Sequence, residues 1–189
     1  MTTISEKTHQ TSPKITSLPE YVVSQFGLKK GSRVADFGCG HGFFTVALAR
    51  SVGPEGKVYA IDIQKATLDI VRAKARNEHL FNIELIWGDI DLPLGSKLRD
   101  NSMDFVCITQ VLFQCEKKEN VFQEAARILN ESGRLAVIEW NLRSILFGPA
   151  MSLGVSQETV KDLARKAGFQ LGGTFDTGAH HYGFFFTKN

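Results

Sequence analysis

Cysteine is scarce in this chain: Cys39, Cys107 and Cys115 are the only three in 189 residues. An odd number with no C-x-x-C pair supplies neither a disulfide framework nor a zinc-ligand set. Each is therefore read as a small buried or half-buried residue, and no metal site is expected. Long apolar runs are also missing. None approaches the roughly 20 residues that a membrane-crossing helix needs. The polar stretch from Met1 to Lys14 has no apolar core of the signal-peptide kind. The expectation is a cytoplasmic chain without membrane insertion. Runs of like charge are absent too, and 22 Lys and Arg against 20 Asp and Glu leave a net charge of +2. That surplus is too mild to argue for a nucleic-acid partner, although a local patch for an RNA or protein acceptor stays open. No internal repeat or low-complexity linker breaks the sequence. What is present is an ordinary globular balance of 43% hydrophobic and 22% charged residues, in a length that suits one core. Residues 1–13 lack apolar periodicity and are expected to be loosely held, with 14–189 forming one domain.

Periodicity then alternates along the chain. Ile15 to Phe26 carries a weak helical stripe, with Pro19 in its first turn and Gly27 as a stop. Arg33 to Phe37 reads as a strand and Phe43 to Ser51 as a helix. Lys57 to Ile63 is strand-like and Gln64 to Leu80 helical, with Leu68, Val71 and Ala75 on one stripe. Ile83 to Trp87 and Met103 to Thr109 are strands. Lys117 to Leu129 is a helix with Val121, Phe122, Ala125 and Ile128 on one face. Gly133 interrupts, and Arg134 to Trp140 is a strand. Strands alternating with helices imply a mainly parallel sheet with right-handed crossovers and helices on both faces. Leu142 to Leu153 is apolar without period, a candidate pocket wall or a plain connection over the sheet. A last helix from Ser156 to Ala167 ends at Gly168. Phe169 to Asp176 and Tyr182 to Thr187 are strands joined by a link too short for anything but antiparallel pairing. The expected fold is thus α/β, doubly wound and Rossmann-like, with a seven-stranded sheet that closes on an antiparallel hairpin.

The segment Val34-Ala35-Asp36-Phe37-Gly38-Cys39-Gly40-His41-Gly42 ends one strand and opens one helix. Glycines let the backbone turn sharply and approach a ligand. The following helix offers unpaired N–H groups and a partial positive charge. Ligands of open α/β sheets bind at this edge. A tight strand-to-helix turn would use the same residues, so two details matter. The spacing is G-x-G-x-G, not the G-x-G-x-x-G of dinucleotide sites. Asp36, just before the first glycine, would repel a pyrophosphate and attract an ammonium.

This stretch resembles the first motif of the class I S-adenosylmethionine-dependent methyltransferases, and the likeness runs from about Leu28 to Lys188. It is nearest to small members close to the ubiquinone and menaquinone C-methyltransferases. The resemblance implies that Gly38, Gly40 and Gly42 hold the methionine part of the cofactor and that Asp36 contacts its ammonium. It implies that Asp62 takes the ribose hydroxyls, Ile63 packs on the adenine, Asp89 binds the adenine amino group and the Ile90 N–H bonds a ring nitrogen. Thr109, at the end of the fourth strand, completes the cofactor set. Asp62 alone could equally be a helix cap, and Asp89 a turn residue. Where the family usually writes Pro-Gly-Gly before its fifth strand, Glu131-Ser132-Gly133 stands here.

Methyl transfer from a sulfonium needs alignment above all, and a base only when the nucleophile must lose a proton. The catalytic group is not legible; Gln110, His181 and Tyr182 are the candidates, since a histidine near the site can act as base. The family's Asn/Asp-Pro-Pro-aromatic stretch for amino-group methylation is missing after Thr109, which favours a small-molecule acceptor. Two other readings compete: a nicotinamide oxidoreductase, whose loop spacing would be wrong, and a non-catalytic scaffold that keeps the cofactor.

Overall fold

A computed structural model describes residues 18–141 and 154–188. The expectations for residues 1–13, for the first turn of the N-terminal helix and for the apolar stretch 142–153 lie outside the described residues. The elements run α1 (Leu18–Ser24), β1 (Arg33–Phe37), α2 (Phe43–Val52), β2 (Lys57–Asp62), α3 (Lys65–Asn77), β3 (Ile83–Trp87), β4 (Met103–Thr109), α4 (Lys118–Ile128), β5 (Leu129–Trp140), α5 (Gln157–Lys166), β6 (Phe169–Thr174) and β7 (His181–Lys188). A single 3-10 turn, Leu112–Gln114, follows β4. The seven strands form one sheet in the order β3-β2-β1-β4-β5-β7-β6. Strands β1 to β5 pair in parallel, and β7 lies antiparallel between β5 and β6. The chain order reverses between β1 and β4, which places a crevice at their carboxyl ends.

Burial follows the sequence pattern. The α3 stripe Leu68, Val71 and Ala75 is buried, as are Val121, Phe122, Ala125 and Ile128 of α4. Alternate residues of β5 serve opposite faces. Leu135 and Val137 join the core under α4 and α5, while Ala136 and Ile138 join the core under α1 and α2. β5 begins earlier than Arg134. Its first residue Leu129 pairs with Met103, the register shifts, and Arg134 then pairs with Phe105. The expected interruption at Gly133 is therefore a bulge inside one strand.

α1 is fastened to the sheet by Phe26, which stacks on Phe105 at 5.1 Å and meets Phe175 and Phe185 edge-on at 5.3 and 5.7 Å. Three hydrogen bonds add a polar clasp at Asp176, just after β6. The Tyr21 hydroxyl donates to its carboxylate at 2.9 Å, and Gln25 exchanges 2.8 and 3.1 Å bonds with its backbone.

The loop between β3 and β4 is pinned from α4. Glu124, only 3% exposed, accepts from the Ser96 N–H and hydroxyl and from Arg127, which also pairs with Asp100. Burial alone would raise the Glu124 pKa, but the Arg127 and Ser96 hydrogen bonds outweigh it and hold the carboxyl below its ordinary value. Arg127→Ala leaves that carboxylate buried and half-satisfied, and is expected to lower unfolding stability by about 3 kcal/mol in denaturant melts. Because the folded pKa is depressed, the Glu124 contribution is full above pH 4.5 and fades as pH falls through the folded value. A melt at neutral pH within about 0.5 kcal/mol of wild type would show that the cluster does no holding.

Candidate functional site

β1, β2, β3 and β4 end at one edge of the sheet, and a cleft of about 970 Å³ opens there. That is the upper end of the range of about 300–1,000 Å³ usual for small-molecule sites. Its walls include Asp36, Asp62 and Asp89, so the three strand-end acids converge on one space. Gly38, Gly40, Ile63, Ile90, Thr109 and Gln110 also line it, and Leu18 and Pro19 of α1 close one side.

The three loop glycines do different work. All have positive φ, at 68° for Gly38, 50° for Gly40 and 77° for Gly42. A Cβ on Gly38 would fall 2.5 Å from Val111 Cγ2, and one on Gly42 would fall 2.9 Å from Val71 Cγ2. These two let the loop pack on its neighbours, and Gly42 is not part of the cleft wall. A Cβ on Gly40 would find only the Gly38 carbonyl, 4.0 Å away. Gly40 is thus the point where the backbone is bare toward the cleft.

Asp62 orders this loop. Its Oδ2 accepts from the Gly40 N–H at 3.0 Å and its Oδ1 from the Gln64 N–H at 2.8 Å. It bonds the main chain just before α3 and also lines the cleft. Lys74 of α3 holds the loop from outside, donating to the His41 carbonyl at 2.8 Å with its ammonium 3.5 Å from the Phe43 ring centroid. Asp36 is 1% exposed, and the Thr45 hydroxyl donates to its Oδ2 at 2.6 Å. Burial pushes its pKa up to about 6; the Thr45 bond opposes this and the Asp62 charge adds to it. A buried carboxyl of this kind is favoured in its charged form by a nearby cation. Asp89 Oδ1 accepts from the Asp91 N–H at 3.0 Å, the turn role weighed for it, while its residue still faces the cleft. Ile63 is 59% exposed, a bare apolar surface beside the two carboxylates.

Past β4, Gln110 takes a left-handed backbone with φ 51°, uncommon outside glycine. Its Nε2 lies 2.9 Å from His181 Nε2, and the His181 ring rests 4.5 Å from the Trp140 ring. Burial, then the neighbouring His180, lowers the His181 pKa, so the ring is neutral at pH 7 and able to accept from the amide. Gln110 reaches the cleft, and His181 stands behind it. Tyr182 does not reach the cleft. β7 turns it to the opposite face, where it is 8% exposed and its hydroxyl donates to the Val155 carbonyl at 2.7 Å. Phe113 packs on the α4 and α5 core, and neither it nor Trp140 lines the described cleft.

Sequence reasoning missed Thr45, Asp91 and Glu139. Thr45 stands three residues after Gly42, on the first turn of a helix whose start was plain. Asp91 follows Asp89 by two and accepts from the Glu116 N–H at 2.7 Å, tying the β3 end to the segment before α4. Glu139 shares the core-facing alternation of Leu135 and Val137, a readable signal for a buried acid. All three cysteines are free and buried. Among the described residues, no helix is long and apolar enough to cross a membrane.

Comparison with known proteins gives three findings. The family model described as a methyltransferase domain matches residues 28–175. A demethylmenaquinone methyltransferase from Geobacillus stearothermophilus is 34% identical over 128 residues, 67% of this chain and 53% of that protein. A SAM dependent methyltransferase from Aquifex aeolicus superposes with a TM-score of 0.80 at 30% identity, covering 89% of this chain and 88% of the other. The chain spans about half the length of the curated relatives it matches.

Proposed function

The chain belongs to the methyltransferase-domain family as a class I enzyme dependent on S-adenosylmethionine, and from that premise we propose which residues hold the cofactor and what kind of molecule receives the methyl group. The observation that carries the assignment is the convergence of Asp36, Asp62 and Asp89 around the bare backbone at Gly40. In this reading Asp36 takes the ammonium of the amino-acid tail. Gly38 and Gly40 let the tail lie against the loop, with Gly42 serving the packing behind it. Asp62 accepts from the ribose hydroxyls with the lone pairs left over from Gly40 and Gln64. Ile63 covers an adenine face, Asp89 accepts from the adenine amino group and the Ile90 N–H donates to the ring. Thr109 lines the space at the end of β4. Residues 14–189 act as one domain.

When bound, S-adenosylmethionine supplies an electrophilic methyl on a sulfonium that departs as a neutral thioether, so the protein needs no acid for the leaving group. The protein's task is to align the acceptor and keep water out. Gln110 is the polar side chain placed to touch the acceptor. His181, behind Gln110 and outside the cleft wall, accepts from its amide and so orients it toward the acceptor. Tyr182 has no part in this scheme. The acceptor is a small molecule: the demethylmenaquinone methyltransferases among the relatives favour that class, and a cleft of about 970 Å³ beside α1 is of the size that takes one. Methyl-labelled cofactor incubated with a whole-cell extract tests this. Label in the small-molecule fraction supports the reading, and label recovered only in RNA or protein overturns it.

The Asp36 assignment has a pH signature. The free protein holds the Asp36 proton up to about pH 6, and only the carboxylate pairs with an ammonium. Affinity for S-adenosylhomocysteine, which keeps the ammonium, is expected to fall as pH drops below 6, approaching about tenfold per pH unit, and to be flat with respect to this group above pH 7. Asp36→Asn removes the slope. A calorimetric titration series with equal slopes in the two proteins would withdraw Asp36 from the site.

A further inference from the structure

One buried acid has no place in the cofactor scheme. Glu139, the penultimate residue of β5, is fully buried. Its Oε1 accepts from the Leu112 N–H at 2.8 Å and its Oε2 from the Trp140 N–H at 3.3 Å. The Val111 N–H also bonds it. Leu112 opens the 3-10 turn after β4, and Val111 packs so close to Gly38 that no Cβ would fit between them. The residue before Val111 is Gln110, held left-handed with its N–H on the Ile138 carbonyl at 2.8 Å and its amide on His181. The carboxylate therefore grips the main chain of the very turn that aims Gln110, from the face of the sheet opposite to His181.

We propose that Glu139 is a positioning residue: its buried carboxylate holds the Val111–Leu112 main chain and so fixes Gln110 against His181 at the acceptor end of the cleft. This rests on the reading of Gln110 as the acceptor-facing group. Among the described residues, no ion pair forms at Glu139. Lys118 of α4 is the cation whose field reaches it, and the Lys118 ammonium is spent on the Cys115 carbonyl at 2.6 Å. Cys115, before α4, and Tyr182, on β7, feel the Glu139 charge, and burial with that charge pushes both their pKa values up. Glu158 of α5 adds to the effect at Tyr182, and Asp91 to that at Cys115. Burial raises the Glu139 pKa to about 7 against the pull of its main-chain bonds. The grip is full when the group is ionised and weakens as pH falls through neutrality. Protonation turns one oxygen from acceptor to donor, and a donor cannot face a backbone N–H.

The test uses the full chain, labelled with nitrogen-15 and free of ligand, in amide spectra from about pH 5.5 to 8.5. The Leu112 and Trp140 amides are expected to move with one midpoint near neutrality, and the Gln110 amide and the His181 ring to follow it. In Glu139→Gln that midpoint disappears from all four, and in Glu139→Asp it persists at a shifted position. A stationary Leu112 amide in the wild-type protein overturns the proposal. So does a Leu112 titration that Gln110 and His181 ignore. The wild-type series decides even if a variant fails to fold. S-adenosylhomocysteine calorimetry at pH 8 keeps the underlying reading separate. Glu139→Gln should bind within about threefold of wild type, whereas absence of binding by the wild-type chain would sink the cofactor assignment and leave the spectra to judge Glu139.

Discussion

Replacing Gly40 with valine is expected to abolish measurable cofactor binding while leaving the sheet intact. Two penalties act together. The φ of 50° at Gly40 is left-handed, and a β-branched residue there loses roughly 1–2 kcal/mol. More important, the new side chain would stand in the open space beside the loop, since no atom other than the Gly38 carbonyl comes within 4.0 Å of a Cβ at that point. The dissociation constant for S-adenosylhomocysteine should rise at least about 100-fold, near or beyond 3 kcal/mol. Gly40→Asn separates the penalties, because asparagine tolerates this backbone but still fills the space. Both variants should lose the ligand, and only the valine variant should also lose thermal stability. Calorimetry returning a wild-type constant for Gly40→Val would mean that the ligand does not lie on this loop.

Asp62→Ala is the second large effect, expected to weaken S-adenosylhomocysteine binding by roughly 1.5–3 kcal/mol, about 10- to 150-fold. Part of that loss is indirect. Without the carboxylate the Gly40 and Gln64 N–H groups lose their acceptor, and the loop loses its tie to β2. A double-mutant cycle separates the shares. An analogue lacking the ribose hydroxyls should bind wild type weakly and lose less on the Asp62→Ala change than the parent ligand does. Equal losses for the two ligands would confine Asp62 to holding the loop. Asp62→Asn, which keeps one acceptor oxygen, should fall between.

The strand and helix order was legible in the sequence because local pattern and burial agree: Leu68, Val71 and Ala75 form a stripe and are buried as one. The terminal hairpin was legible because a short link leaves antiparallel pairing as the one solution. The three strand-end acids could be placed on one edge because parallel strands end on the same side of a sheet. What local pattern could not reveal was which side of a close contact a residue serves. Gly38, Gly40 and Gly42 look equivalent in a motif, yet Gly38 and Gly42 accommodate Val111 and Val71, and of the three only Gly40 leaves its Cβ direction open. Tyr182 beside His181 looked like a site pair, but adjacent strand residues point to opposite faces, and the hydroxyl went to Val155. The left-handed Gln110 carries no glycine to advertise it; tertiary hydrogen bonds impose it. The start of β5 was misplaced because a bulge, seen only in pairing, joins Leu129 to Arg134.

The clasp at Asp176 has a mechanical meaning. Tyr21 lies on the helix that walls the cleft and Gln25 just after it, and Asp176 lies in the link that leads to His181. Door and back panel are hung on the same hinge pin. Moving the first strains or breaks those three exposed bonds, which tie it to the link that carries the imidazole behind Gln110.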